Sequence, residues 1–415
     1  MVPSLLSTPV WMSILGASFL IHSLVAAPPQ DISPLLAPTP PMGWMSWNNF
    51  GPNMNETLIK EMADAMVSSG MQNAGFRYIC LDDYWQGKRD AQGVLQPDPA
   101  KFPHGIKVLA DYVHSKGLML GIYSDAAELT CEKQPASFGY EEKDASTFAS
   151  WGVDYLKYDY CFAPEDQATA IKRYSTMAQA LRKTGRPIVF SICEWGPRKP
   201  WLWGRKAGGQ LWRTTWDIRE LWYSGKYDDT QAGILDLLDQ QVGLEKYSGP
   251  GGWNDPDMLV IGLCGKGKYT SPQGYPHCTN TEYRSQMSLW CLLAAPLMAT
   301  NDLRSMNDAS REILTNREVT AIDQDPLGKQ ACRIAKDGNM EIWARELSNG
   351  ARAVGLLNRA DGATHTIKVT WSQLGLQGKQ KVRDLWAHKD RGIFQDQFEA
   401  AVPAHAVLLL KIQTP

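Results

Sequence analysis

An α/β fold, a (β/α)8 TIM barrel with a C-terminal antiparallel β-sandwich, is the architecture this sequence predicts, and three observations predict it. From Gly43 to about Asn301, short apolar runs rich in β-formers alternate with longer stretches of helical period. Such alternation argues a parallel sheet with crossover helices, and about 260–300 residues of it matches a closed barrel better than an open sheet. After Asp325-Pro326-Leu327-Gly328 the pattern changes to short alternating segments separated by turns, the pattern of a small sandwich. Thirdly, the apolar runs end repeatedly in acidic residues, and barrel enzymes carry their chemistry at the C-terminal ends of strands.

In chain order, the barrel runs include Tyr78–Leu81, Leu118–Tyr123, Tyr155–Tyr158, Ile188–Ile192 and Leu292–Met298. Between them the spacing predicts helices over Glu56–Ser69, Ile106–Lys116, Lys143–Trp151 and Gln167–Lys183. Asn55 caps the first, and Gly117 and Gly152 end the second and third. The sandwich segments are Met340–Arg345, Ala353–Asn358, Thr364–Val369, Val382–Trp386 and Ala406–Ile412. The expected organisation is a signal peptide over 1–27, a Pro-rich tether over 28–40, a catalytic barrel over 41–328 and the sandwich over 329–415.

The first 27 residues carry no Lys, Arg, Asp or Glu, and an apolar run from Trp11 to Leu24 leads into Val25-Ala26-Ala27. The run is short for a membrane span and ends in small residues, so cleavage after Ala27 and a secreted product, extracellular or periplasmic, are expected. Lys plus Arg total 42 against 44 for Asp plus Glu, a balance that gives no field for nucleic acid or an anionic membrane. A neutral small-molecule or oligosaccharide partner fits better, and 16 Trp supply flat faces suited to sugar rings.

The eight cysteines form no CxxC pair, so a zinc site is not expected. Cys264 and Cys278 bracket a polar, Gly-rich stretch, and a bridge between them would stabilise by about 3 kcal/mol. Cys80, Cys193 and Cys291 sit in apolar runs and read as buried thiols.

The acidic ends are Asp82-Asp83, Asp125, Asp159, Glu194, Asp217 and Asp255-Pro256-Asp257. One carboxylate after a strand is commonly a helix cap, but six such ends describe a rim crowded with acids beside Trp and Tyr. No His lies among them, which disfavours a transition metal and leaves hard cations open. Sugar hydroxyls also call for many carboxylates, and glycosidases need two as catalysts. Lys157 stands two before Asp159, so both face one side of a strand, and an ammonium there favours an ionised Asp159.

These motifs identify a resemblance. Thr39-Pro40-Pro41-Met42-Gly43-Trp44 with Ser46-Trp47-Asn48, Asp82-Asp83, Lys157-Tyr158-Asp159-Tyr160-Cys161, Cys193-Glu194-Trp195-Gly196, Arg213 with Asp217, and Trp253-Asn254-Asp255-Pro256-Asp257-Met258 resemble the retaining α-galactosidases of glycoside hydrolase family 27 over residues 39–415. The resemblance implies an exo-glycosidase that removes terminal α-galactose in two displacements without a cofactor or metal. It implies Asp159 as nucleophile and Asp217 as acid/base, with Asp217 in a dry setting or near other carboxylates so that it starts protonated. It implies Trp44 as an aromatic platform, Asp82 and Asp83 on the 4- and 6-hydroxyls, and Tyr123, Lys157, Glu194, Arg213 and Asp257 as further sugar contacts. A Cys131–Cys161 bridge tying two loops is implied as well. The cysteine that some members pair with Cys193 is replaced by the Gln210-Leu211 region, leaving Cys193 unpaired. Two rivals are an α-N-acetylgalactosaminidase or pentose-removing relative, against which Glu194 and Asp82-Asp83 argue, and a binding protein without catalysis, against which both aspartates argue.

Overall fold

The computed structural model describes Met1, Pro3 and residues 35–415; the expected signal peptide and most of the tether lie outside the described residues. Eight parallel strands form the central sheet: β1 Met42–Met45, β2 Tyr78–Cys80, β3 Met119–Asp125, β4 Tyr155–Asp159, β5 Val189–Ile192, β6 Leu211–Arg213, β7 Trp253–Asp255 and β8 Leu297–Ala299. They pair in sequence, and β8 returns to β1. The ring is completed just beyond β7, where Leu259 N donates to Met298 O at 2.8 Å. Eight strands in this order, with helices on the outside, make a (β/α)8 barrel.

Strand alternation sorts the side chains into two layers. Met45, Cys80, Tyr155, Val189, Leu211, Trp253 and Met298 pack together inside the barrel. The intervening residues, among them Trp44, Ile79, Leu156, Tyr158, Phe190 and Ile192, pack outward against the helices. The helices stand where the spacing predicts them, at Glu56–Ser68, Gly105–Ser115, Glu141–Trp151 and Gln167–Lys183. Asn55 caps the first by accepting from Leu58 N at 2.9 Å, and Gly152 ends the third in the left-handed conformation. One strand differs: Leu292 and Leu293 finish the helix Asn280–Leu293, and the strand begins only at Leu297. An apolar run buried on all sides carries no period to tell the two apart.

The C-terminal part is antiparallel. β9 Cys332–Asp337, β10 Met340–Glu346, β11 Arg352–Asn358, β13 Gln380–Asp384, β14 Lys389–Phe394 and β16 Val407–Gln413 form one sheet, and β12 His365–Thr370 pairs with β15 Gln397–Val402 in a second. Ile367, Val369 and Phe398 from the smaller sheet meet Val354, Leu356, Val382 and Leu410 from the larger in a separate core, which makes a β-sandwich. Among the described residues, no helix is long and apolar enough to cross a membrane.

Candidate active site

The strand ends of the barrel converge on a small cavity lined by Asp82, Asp83, Tyr123, Lys157, Asp159 and Asp217, together with Trp47, Cys131, Glu132, Trp195 and Tyr269. β4 supplies its floor. Tyr155, Lys157 and Asp159 share the inward face, and the register with β3 sets Tyr123 beside Lys157 and Asp125 beside Asp159. Lys157 Nζ lies 2.9 Å from Asp82 Oδ2 and 5.3 Å from the centre of the Tyr123 ring. Burial works against that ammonium, but Asp82 and Asp159 outweigh it and hold Lys157 firmly charged. Asp83 is tied to the loop after β3: Thr130 Oγ1 donates to it at 2.9 Å and Glu132 N at 3.0 Å. Burial still lifts its carboxyl to about 6.

The same loop is joined to the chain after β4 by the Cys131–Cys161 disulfide, with Cα atoms 5.1 Å apart. Asp125 reinforces the junction by accepting from Cys161 N and Ala127 N, each at 2.9 Å. Asp125, Asp159 and the two cysteines lie within 4.8 Å of one another, but both sulfurs are spent in the disulfide and offer no thiolate to a metal. Asp159 Oδ1 is buried without a hydrogen-bond partner among the described residues. Burial, reinforced by Asp217 and Asp82, raises the Asp159 carboxyl against the pull of Lys157 and of the neighbouring Cys193 thiol.

Across the cavity, Arg213 at the end of β6 donates through Nη2 to Asp217 Oδ1 at 2.9 Å, and its Nη1 lies 3.0 Å from Asp257 Oδ1. Burial pushes Asp217 up too, but Arg213 and Lys157 prevail and hold it below the ordinary range. The burial and neighbouring carboxylates expected of Asp217 are present, but Arg213 and Lys157 outweigh them, so its carboxyl is lowered rather than raised. Asp257 accepts from Ile218 N at 2.8 Å, and burial lifts its carboxyl to about 6. Arg213 and Asp257 stand behind Asp217 rather than on the cavity wall.

Two loops finish the rim. After β5, Trp195 has φ 59° and Gly196 φ 98°, and an added Cβ at Gly196 would strike the Thr214 carbonyl. This turn swings the Trp195 ring over the cavity, stacked on Trp216 at 6.0 Å and 17°. On the far side, Lys268 pairs with Glu132 and lies 4.2 Å above the Trp47 ring, while Tyr269 packs 5.9 Å from Trp47.

Comparison with known proteins accounts for this constellation. Residues 39–325 match the family model described as alpha galactosidase A, and residues 337–412 match the alpha galactosidase C-terminal beta sandwich domain. The chain belongs to the melibiase family. It is 44% identical over 391 residues to the alpha-galactosidase A of Cellvibrio japonicus, covering 91% of this chain and 92% of that one. The alpha-galactosidase of Coffea arabica is 48% identical over 371 residues, covering 88% and 92%. Among solved structures, alpha-galactosidase I from Mortierella vinacea superposes with a TM-score of 0.84 at 36% identity, covering 91% of this chain and 97% of that one.

As a melibiase, the chain departs from its sequence reading at Arg213 and Asp257, which do not line the cavity, and at three further places. Trp44 is not the platform. It is fully buried against the helix layer, its Nε1 donates to Asn301 O at 2.8 Å, and Trp47 lines the cavity instead. The parity of β1 decides this, because Met45 points inward and Trp44 outward. Glu194 does not border the cavity either. With Ile192 facing outward, Cys193 turns inward, 3.7 Å from Arg213 Nη1, and Glu194 turns away to accept from Arg198 N at 3.1 Å and Nη1 at 3.0 Å. Burial lifts its carboxyl to about 7 despite Arg198. Thirdly, Cys264 and Cys278 are not joined: Cys264 is exposed and Cys278 buried. Buried Glu220 holds their loop instead, accepting from Gly265 N at 3.0 Å and Thr270 Oγ1 at 3.2 Å. Cys80, Cys193 and Cys291 are buried free thiols, as their apolar runs predict. Asp125, Trp47, Cys193 and Trp195 are site residues that the reading missed, and strand parity would have found the first three.

Proposed function

We propose that the chain hydrolyses terminal, non-reducing α-D-galactosyl residues by double displacement with retention. Asp159 attacks the anomeric carbon and Asp217 protonates the leaving oxygen, then draws a proton from water as the galactosyl-enzyme ester is cleaved. The observation that carries the reading is that these two carboxylates share one small cavity with Lys157, Asp82 and Asp83. An unpartnered Asp159 Oδ1 suits a nucleophile, since the lone pair that attacks is not already bonded. Asp82 and Asp83 suit a hexose, with two buried acceptors for its hydroxyls.

The reactive form has anionic Asp159 and protonated Asp217. In the free pocket burial raises the Asp159 carboxyl and Arg213 lowers that of Asp217, so both directions run against the reactive form. A bell-shaped profile of kcat/KM follows, and its limbs belong to the two carboxyls together.

Galactose is preferred over its N-acetyl relative because relatives at 44–48% identity are alpha-galactosidases. The structure of a Bacillus halodurans protein described as an α-N-acetylgalactosaminidase is 22% identical and supports only the fold. An exported location accords with the Cys131–Cys161 bridge. In the test, Asp159→Ala abolishes turnover, azide restores part of it as β-galactosyl azide, and proton NMR of the wild type shows α-galactose appearing first. β-Galactose as first product, or full activity of Asp159→Ala without azide, rejects the assignment.

A further inference from the structure

Between barrel and sandwich lies a second cavity, about 650 Å³ against about 50 Å³ for the catalytic one. Trp222, Tyr223 and Tyr275 line it from the barrel side, and Lys336, Arg359 and His405 from the sandwich side. We propose that this seam cavity is a second saccharide site, distinct from the catalytic pocket, that takes a neutral sugar unit of a galactose-bearing oligosaccharide.

The charges in its wall are of both signs and engaged with one another, which disfavours an ionic ligand. Arg359 holds Asp239 through two bonds of 2.7 Å, and His405 stands between Glu282 at 2.7 Å and Asp361 at 2.8 Å. A phosphate or carboxylate would meet three acids, and a cation would meet Arg359 and Lys336. Paired groups keep spare lone pairs and N–H bonds, which suit hydroxyls that both donate and accept. The aromatic rings suit the apolar faces of a pyranose. Tyr223 is 50% exposed, and Arg359 lies 5.5 Å from its ring centre, so one face is fixed and a broad area is presented to solvent.

Trp222 adds an independent mark. It is only 7% exposed, packs 5.1 Å from the His405 ring, and its Nε1 is buried without a hydrogen-bond partner among the described residues. Buried indole N–H groups ordinarily find an acceptor, and an oxygen of a sugar seated in the cavity that Trp222 lines would supply the one missing here. Trp222 also lies five residues beyond Asp217, at most about 18 Å of extended chain, so the seam and the acid/base segment are parts of one loop.

The test uses the full chain carrying Asp159→Ala, so that sugars bind without turnover. Calorimetric titration with raffinose gives two binding events. Adding Tyr223→Ala, at a half-exposed position, removes one event and leaves the other. In the Asp159 enzyme, Tyr223→Ala leaves turnover of a nitrophenyl α-galactoside unchanged, which separates failure of the seam site from failure of the catalytic assignment. Lys336→Ala, at the rim, weakens the same event. A single event in the Asp159→Ala chain overturns the proposal. So does a Tyr223→Ala chain that melts like its parent and still shows two events, which would make the seam a purely structural or protein-facing surface.

Discussion

The two walls of the catalytic pocket are built in different ways. On one, Tyr123, Lys157 and Asp159 hang directly from parallel strands, and Asp82 and Asp83 follow within three residues of β2. Backbone ladders set their direction, and a buried ion pair between Lys157 and Asp82 couples them. On the other wall, Trp195, Asp217 and Tyr269 stand on loops, held by a positive-φ turn, one guanidinium and contacts between neighbouring loops. Under the proposed mechanism, the nucleophile and the lysine that charges it belong to a strand-borne, rigid wall, whereas the acid/base and the rings around it belong to a loop-borne, adjustable wall. Substitutions on the first should damage charge balance and fold together; substitutions of the aromatic rings on the second should change substrate handling with little effect on stability.

Lys157→Met should be the most severe. It leaves Asp82 buried without its cation, which costs about 3–5 kcal/mol of stability. It also removes the group that favours anionic Asp159, so kcat/KM should fall by about 100-fold or more. Urea melts and steady-state kinetics on a nitrophenyl galactoside measure both, and a variant that is stable yet active would break the coupling of that wall. Next comes opening the bridge by Cys131→Ser with Cys161→Ser. The bridged residues are 30 apart, and freeing a loop of that length costs about 3–4 kcal/mol in the chain-entropy model. Activity should drop as well, since Cys131 Sγ sits 3.5 Å from Asp159 Oδ2. If only stability changes, the loops need not be tied for chemistry.

Trp195→Ala tests the adjustable wall. Its ring is partly exposed and stacked on Trp216, so stability should hardly change. KM for galactosides should rise about tenfold, by loss of an aromatic contact, with kcat less affected. A loss confined to kcat would place Trp195 with the rigid wall instead.

The same division explains what could be read from the sequence. Strand-borne residues announce themselves, because an apolar run followed by an acid fixes both position and direction: Asp82, Asp83, Lys157 and Asp159 all line the cavity where their motifs put them. Motifs alone do not place Trp44 and Glu194: strand parity turns Trp44 to the helix layer, and the turn after β5 directs Glu194 to Arg198. Trp195 is a different case. Its ring reaches the cavity through a left-handed residue backed by Gly196, a conformation that no periodicity encodes. The Glu220 anchor of the 264–278 loop was equally hidden, since its partners lie about 45–50 residues away along the chain.

Glu194 gives the smallest expected effect on catalysis and the sharpest check on the two-wall picture. The family resemblance makes it a sugar contact that argues against an N-acetyl group, whereas its geometry makes it a buried acid facing Arg198. Glu194→Gln keeps the volume and one acceptor for the Arg198 contacts but cannot ionise. If Glu194 faces Arg198 rather than the sugar, the ratio of kcat/KM on the α-galactoside to that on the α-N-acetylgalactosaminide should stay within about twofold of wild type. A tenfold change, about 1.4 kcal/mol, would return the carboxylate to the sugar. Stability gives an independent reading. The folded carboxyl titrates near 7 against an ordinary 4.5, so between those values the folded chain keeps a proton that the unfolded chain has released. Its contribution is therefore complete below pH 4.5 and is lost as pH rises through 7, a change on the order of 3 kcal/mol. Glu194→Gln has no proton to lose. Matched to wild type in urea midpoint at pH 4.5, it should become the more stable of the two by pH 7.5. Parallel midpoints across that range would mean that Arg198 neutralises Glu194 fully, and that the acid beneath the adjustable wall is ionised throughout.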